Sequence, residues 1–333
     1  MAHRDLPLNG HRTIKEWLEH PTGGPVMREV FSRAGVEEAA IAQMMSLPLG
    51  GLPGLSQGRF PQELVDQLIL AANDGVVPEE EAPLGATGAR FEGKVAIITG
   101  AGSGIGLATL QRIVAEGGTV VAVDIAEERL QAAADAAPEG KVIPIVGDIT
   151  NDDDVARVIA AAGPRIDCLA NVAGIMDGMM PLHEVDNALW DRVMAVNVTG
   201  TFKISRAVLP VMMEQEEGSI VNVASQAALR GNAAGTTYGT SKHAIVGMTK
   251  SEAFLYGPLG VRVNAVAPGG VATNIEGTFR SDFARNRIAP LLQMIPPIST
   301  ADTQAAAITW LLSDDATNVN GVILPTDGGW SVQ

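Results

Sequence analysis

From Lys94 onward, the hydrophobic positions of the chain fall into two alternating patterns. Short, nearly continuous apolar runs recur: "KVAIIT" at 94–99, "TVVAVD" at 119–124, "KVIPIVG" at 141–147, "IDCLANVAG" at 166–174, "GSIVNVAS" at 218–225, "VRVNAVAPG" at 261–269 and "GVILPTDGG" at 321–329. Between most of them lie stretches with helical spacing, such as "LATLQRIVAEGG", "ERLQAAADAA", "VARVIAAAG" and "TQAAAITWLLSD". Val/Ile/Ala runs bounded by Gly, Pro and Asp predict strands buried on both faces of a parallel sheet. Their alternation with helices predicts right-handed crossovers and a doubly wound α/β fold of the Rossmann type. Such sheets bind ligands at the carboxyl ends of their strands.

The first ninety or so residues read differently. "TIKEWLEH", "PVMREVFSRAG", "VEEAAIAQMMSL" and "PQELVDQLILAAND" are short amphipathic helical patterns broken by Pro and Gly. Pro25 and Pro61 suit first-turn positions. "GVVPEEEAPLGATGARFEG" has few large apolar residues and reads as a linker. The expected organisation is a helical extension over 1–75, a linker over 76–91 and a Rossmann-type domain over 92–333.

Composition narrows the class of function. Apolar residues make up 46 % and charged residues 18 % of 333, which is globular rather than disordered. A net charge of −15 opposes binding to nucleic acid or an anionic membrane. Cys168 is the one cysteine, so no internal disulfide forms and a reducing cytoplasm is expected. No apolar run reaches the roughly 18 residues of a spanning helix. His3, His11, His20, His183 and His243 show no metal-ligand grouping, and no metal is expected.

"VAIITGAGSGIGLATL" runs strand, glycine-rich turn, helix. Gly100, Gly104 and Gly106 follow G-x-x-x-G-x-G rather than the G-x-G-x-x-G fingerprint. The physical need is the same: a tight turn, close backbone approach to a pyrophosphate, and a helix N-terminus that favours negative charge. Ser103 lies within the turn, where a basic residue would favour a 2′-phosphate. Asp124 closes the second strand, where a carboxylate accepts from ribose hydroxyls and repels a 2′-phosphate. It could equally cap the following helix. With the loop in place, NAD(H) is expected over NADP(H). Asp148 either contacts the adenine or caps the next helix.

Together these residues resemble the short-chain dehydrogenase/reductase family over 92–333. The resemblance rests on "TGAGSGIG" at 99–106, "NVAG" at 171–174, "VNVTG" at 196–200, "SIVNVAS" at 219–225, "YGTSK" at 238–242, "NAVAPGGVAT" at 264–273 and "PTDGG" at 325–329. Two departures are small: Val172 stands where the family usually has a second Asn, and Ala224 where it has a Ser before Ser225. The resemblance implies a catalytic set of Asn197, Ser225, Tyr238 and Lys242. Tyr238 would be the general acid in ketone reduction and the base in alcohol oxidation. Lys242, one helical turn on, would lower its pKa and bind the nicotinamide ribose. Ser225 would donate to the substrate oxygen, and Asn197 would hold a water linking Lys242 to solvent. Cofactor contacts are implied at Gly100, Ser103, Gly104, Ile105, Gly106, Asp124, Asp148, Ile149, Asn171, Ala173, Gly174, Tyr238, Lys242, Pro268, Gly269, Val271 and Thr273.

The family spans many alcohols and ketones, so the substrate must be read from its walls. Residues 274–298 occupy the place of the family's substrate-covering loop, with Leu291, Leu292, Met294, Ile295 and Pro296 to Ile298 as an apolar lid. Met176, Met179 and Met180 would form the opposite wall. The expected substrate is a bulky hydrophobic secondary alcohol or ketone, with a hydroxysteroid leading. A 3-oxoacyl thioester reductase is the alternative enzyme, and a catalytically silent NAD-binding regulatory protein the alternative of another class. The resemblance also implies a homo-tetramer or homo-dimer, through helices over roughly 200–215 and 238–256 and through the C-terminal strand.

Overall fold

The computed structural model describes residues 8–10, 12–33, 35–36, 41, 44–45, 47–55, 60–73, 75–78, 88–273 and 278–332. By its contacts the chain divides into two compact units. One comprises residues 1–84 together with 272–274 and 297–300; the other holds the rest.

The first unit carries helices α1 (Ile14–Glu19), α2 (Gly23–Arg33), α3 (Leu52–Leu55) and α4 (Gln62–Ala72). Thr13 and Glu16 form a reciprocal capping box at the start of α1, which satisfies two of its orphan N–H groups. The unit has its own core, in which Ile14, Trp17, Met27, Phe31, Leu49 and Leu68 are buried. Trp17 buries its ring and donates its indole N–H to Asn9 O at 3.1 Å. Pro25 sits in the first turn of α2 and Pro61 caps α4, as the breaker pattern predicts. The pattern over 36–47 falls largely outside the described residues.

The second unit is built on a seven-stranded sheet: β1 (Val95–Thr99), β2 (Thr119–Asp124), β3 (Val142–Val146), β4 (Cys168–Asn171), β5 (Gly218–Val223), β6 (Val261–Pro268) and β9 (Ile323–Thr326). Two-residue strands β7 (Val271–Ala272) and β8 (Ser299–Thr300) form a separate sheet. The seven strands are all parallel, in the order β3-β2-β1-β4-β5-β6-β9. All seven coincide with the apolar runs of the sequence. Helices α5 (Gly104–Ala115), α6 (Glu127–Asp135), α7 (Asp152–Ala162), α8 (Asn187–Met194), α9 (Thr201–Gln215), α10 (Thr236–Tyr256), α11 (Asp282–Leu292) and α12 (Ala301–Leu312) complete the unit. One core cluster includes Ile98, Leu110, Val120 and Ile308; another includes Ile97, Val121, Leu169, Val208 and Val263. Neighbouring strand residues Ile97 and Ile98 thus serve opposite clusters, and this is why the strands are apolar on both faces. Phe91, at the end of the stretch read as linker, belongs to the first of these clusters. Phe91 is buried and Arg90 pairs with the buried Glu116.

Strand order reverses between β1 and β4, which run side by side with Thr99 opposite Asn171. A crevice outside the carboxyl ends of these two strands is where a doubly wound sheet takes its ligand.

Candidate active site

At the carboxyl end of β1 the backbone turns sharply. Gly100 has φ 69°, and a Cβ on it would come within 3.0 Å of the Ala173 backbone beyond β4. A Cβ on Gly106 would meet Gly100 O at 2.0 Å, so only glycine lets α5 approach the strand this closely. Thr99 Oγ1 accepts from the N–H groups of Val172 and Ala173, which fastens the two strand ends together. Ser103 caps α5 with extended backbone and no side-chain bond, Gly104 opens the helix at φ 52°, and Ile105 packs on the core. The result is a glycine cradle under a twelve-residue helix whose first N–H groups are free for an anion, which fits a dinucleotide pyrophosphate.

Asp124 sits beside this cradle. Its Oδ2 accepts from Gly102 N–H at 2.9 Å and its Oδ1 from Ala126 N–H at 2.9 Å. It thereby braces the glycine turn and the approach to α6, whose N-cap is Ala126 rather than Asp124. The sequence reading missed Arg129, which α6 turns back so that its guanidinium lies 3.9 Å from Asp124 Oδ1. Asp148 accepts from Thr150 N–H at 2.8 Å, a local turn on an exposed residue. The Ile149 side chain is turned into the core, where a Cβ on Gly200 would strike it at 2.6 Å. Asn171 donates to Ser205 Oγ and Asn222 Oδ1 and is buried within the fold. Pro268 ends β6, Gly269 lies against Asp327 and Val271 starts β7. Thr273 belongs to the first unit.

The four expected catalytic residues come from three places. Ser225 follows β5, Tyr238 and Lys242 lie on α10, and Asn197 lies in a π-helical turn, Ala195–Gly200, ahead of α9. The Ser225 hydroxyl hydrogen-bonds the Tyr238 phenol. Lys242 Nζ lies 5.6 Å from the centre of the Tyr238 ring and donates to Val223 O at 2.8 Å. A Cβ on Gly174 would stand 3.3 Å from Asn197 Oδ1 and 3.4 Å from Lys242 Nζ, so Gly174 is the gap through which these two side chains face each other. Asn197 clamps Ile175, accepting its N–H at 2.8 Å and donating to its carbonyl at 3.0 Å. Its amide also donates to Ser241 Oγ, which donates in turn to Tyr238 O. Ser241, the fourth residue of "YGTSK", is a further link to which the sequence reading gives no role.

Burial acts on this pair in opposite senses. It pushes the Tyr238 phenol up to about 12, with the Asp177 charge adding to the rise and the Ser225 hydrogen bond opposing it. It pushes the Lys242 ammonium down to about 8. Burial is the largest influence on each of the two groups, and Lys242 is not among those that shift the Tyr238 phenol here. Among the described residues no cluster of His, Cys, Asp or Glu is arranged to hold a metal ion. His183 instead packs edge-on against Phe283 with ring centres 5.0 Å apart, and His243 Nδ1 lies 2.9 Å from Gly239 O.

With this geometry in view, the family model described as short chain dehydrogenase matches residues 94–283. This chain belongs to the short-chain dehydrogenase family. Levodione reductase of Leifsonia aquatica is 36 % identical over 255 residues, which is 73 % of this chain and 96 % of the relative. The 3beta-hydroxysteroid dehydrogenase 2 of Eggerthella lenta is 36 % identical over 247 residues, covering 72 % of this chain and 95 % of that protein. The crystal structure of the 3-ketoacyl-(acyl-carrier-protein) reductase of Brucella melitensis complexed with NADH superposes with a TM-score of 0.66 at 32 % identity, over 72 % of this chain and 99 % of that one. A short-chain dehydrogenase is thus an oxidoreductase built on a nicotinamide-binding sheet, and residues 1–93 lie outside the family match.

Proposed function

We propose that this short-chain dehydrogenase uses NAD(H) to interconvert a bulky hydrophobic secondary alcohol and its ketone, with a hydroxysteroid as the first candidate. The observation that carries the reading is the meeting of Ser225, Tyr238 and Lys242 at the carboxyl end of β5, beside the glycine cradle. Gly100, Gly102, Gly106, Asp124 and the start of α5 would hold the dinucleotide, and when bound its nicotinamide supplies or accepts the hydride. In reduction the Tyr238 phenol gives its proton to the oxygen that gains alkoxide character, while the Ser225 hydroxyl orients that oxygen. Lys242 keeps a positive charge near the phenol as it loses its proton. Asn197, with both ends of its amide engaged, holds Ile175 and the Ser241–Tyr238 link in register rather than binding a relay water through its side chain.

NAD(H) is favoured by Asp124, whose carboxylate opposes a 2′-phosphate; Arg129 is the group that would offset it. A hydrophobic substrate is favoured by the loop and helix flanking the site. Leu182, Phe283 and Met294 are exposed, at 68 %, 61 % and 57 %, and Leu291, Leu292, Ile295 and Pro296 are half-buried. Residues 274–277 of the expected lid lie outside the described residues. A second copy of the chain is assigned to the outer faces of α9 and α10, where Phe202, Phe254 and Leu255 are exposed. The same reading places the protein in the cytoplasm, and no helix among the described residues is long and apolar enough to cross a membrane.

The test is turnover of NADH and NADPH with steroid ketones, small cyclic ketones and 3-oxoacyl thioesters. Turnover of steroid ketones with NADH is expected. Turnover confined to thioesters would replace the substrate class, a preference for NADPH would hand the ribose site to Arg129, and cofactor binding with no turnover would favour a silent binding protein.

A further inference from the structure

The loop after β4 contains an acidic residue that no motif names. Asp177 is fully buried, at 0 % exposure. Its Oδ1 accepts from Met179 N–H at 3.0 Å and its Oδ2 from Tyr238 N–H at 2.9 Å. The second bond is informative because Tyr238 is the third residue of α10 and its N–H is one of the helix's orphan donors. Gly235, at the cap position, has no side chain with which to accept it. Glycine is required there all the same: a Cβ would stand 2.4 Å from Asp177 Oδ2 and 2.5 Å from Met180 N. The loop is tied to the helix a second time by Thr236 N–H, which donates to Met180 O at 2.9 Å. It is tied on its other side to the substrate-loop segment by Arg280 N–H, which donates to Gly178 O at 3.0 Å.

The loop holds an unfavourable conformation to make these bonds. Gly178 and Met179 both have positive φ, 67° and 57°. For a non-glycine residue such as Met179 this conformation is strained and persists only where the surroundings enforce it. What the strain secures is a buried carboxylate aimed at the first turn of the helix that carries Tyr238.

We propose that Asp177 is a positioning residue for Tyr238, fixing the first turn of α10 by a bond to the Tyr238 backbone and setting a buried carboxylate beside the start of the helix that carries its phenol. This role rests on the reading of Tyr238 as the acid and base of the reaction. The charge that bears on the phenol is then Asp177 from the loop, while Lys242 of its own helix stands 5.6 Å from the ring centre and the Arg280 stem packs on Gly178 beyond. Burial raises the proton affinity of the phenol most, Ser225 lowers it and Asp177 adds to the rise. Asp177 thus works in the same sense as burial, toward the protonated phenol, the form that reduces a ketone.

The experiment exploits the tyrosine content. Tyr238 and Tyr256 are the two tyrosines of the chain. In a Tyr256→Phe background the phenolate absorbance therefore titrates Tyr238 alone, without any turnover. Adding Asp177→Asn should lower that midpoint by about one pH unit. The rise of alcohol oxidation with pH, which follows the phenolate, should move down with it, and kcat for ketone reduction should fall with little change in KM for the cofactor. Gly235→Ala keeps the charge but presses on the carboxylate from the helix side. It should lower kcat without lowering the midpoint. An unmoved midpoint in folded Asp177→Asn, or full kcat in Gly235→Ala, would overturn the proposal. Full activity in Tyr238→Phe would overturn the acid/base reading instead, and the absorbance titration does not depend on that reading.

Discussion

Tyr238 and Lys242 are displaced from their ordinary proton affinities in opposite directions by the same cause, loss of solvent. The phenol stays protonated up to about 12, while the ammonium loses its charge near 8. A lysine with a lowered pKa is charged below that value and neutral above it. Ketone reduction that needs the ammonium should therefore be constant below about pH 7 and fall as pH rises through 8, with no second loss from the tyrosine in the accessible range. The pH dependence of kcat/KM for the free enzyme reads this directly. A profile flat to pH 10 would mean that the Lys242 charge is not used. At this scale the sequence was most legible where a motif carries a whole constellation, as with Ser225, Tyr238 and Lys242. Asp177 was not legible, because its partner Tyr238 lies 61 residues away and only the fold joins them. Arg129 was missed because it returns to Asp124 through a turn of α6 rather than by following it in sequence.

The strands were readable because burial on both faces leaves continuous apolar runs, and the glycine turn because its helix must approach β1. The π-helical turn at 195–200 was not readable. It depends on Asn197 finding Ile175 and Ser241, both remote in sequence. The pairing of α9 and α10 has a consequence for stability. Phe202, Leu209, Met213 and Tyr256 line a cavity of about 290 Å³ together with Arg206, Pro210 and Glu252. Glu252 Oε2 is buried there with no hydrogen-bond partner among the described residues, and burial pushes its carboxyl up to about 7. A raised carboxylate pKa contributes stability that is fully present below the unfolded value near 4.5 and lost as pH rises through 7. Glu252→Gln should melt at about the same temperature as the wild type at pH 4.5. It should be more stable above pH 7, by up to roughly 3 kcal/mol. Thermal melts at the two pH values check this, and equal or lower stability of the variant at pH 8 would show that the charge is compensated.

For the molecule as a whole, the family match begins at residue 94, and the first unit has a core of its own. The sequence indicated short helices there, but not that the unit also includes 272–274 and 297–300, the segments on either side of the proposed substrate loop. Such membership depends on contacts between distant parts of the chain and leaves no local pattern. A chain beginning at Ala89 should keep its affinity for NADH and melt at a lower temperature. It should also show a raised KM for ketone, since both flanking segments lose the core of their unit. Fluorescence titration with NADH and steady-state kinetics separate these effects. Unchanged KM and melting temperature would make the first unit independent of the reaction.

The central claim is that one phenol carries the proton. The most direct measurement compares wild type and Tyr238→Phe for NADH binding, by fluorescence, and for NADH consumption with a ketone that the wild type turns over. Unchanged NADH affinity with turnover reduced by at least about 10²-fold is the predicted result, the size of a lost general acid. Turnover within a few fold of wild type, with NADH bound equally well, would contradict the mechanism.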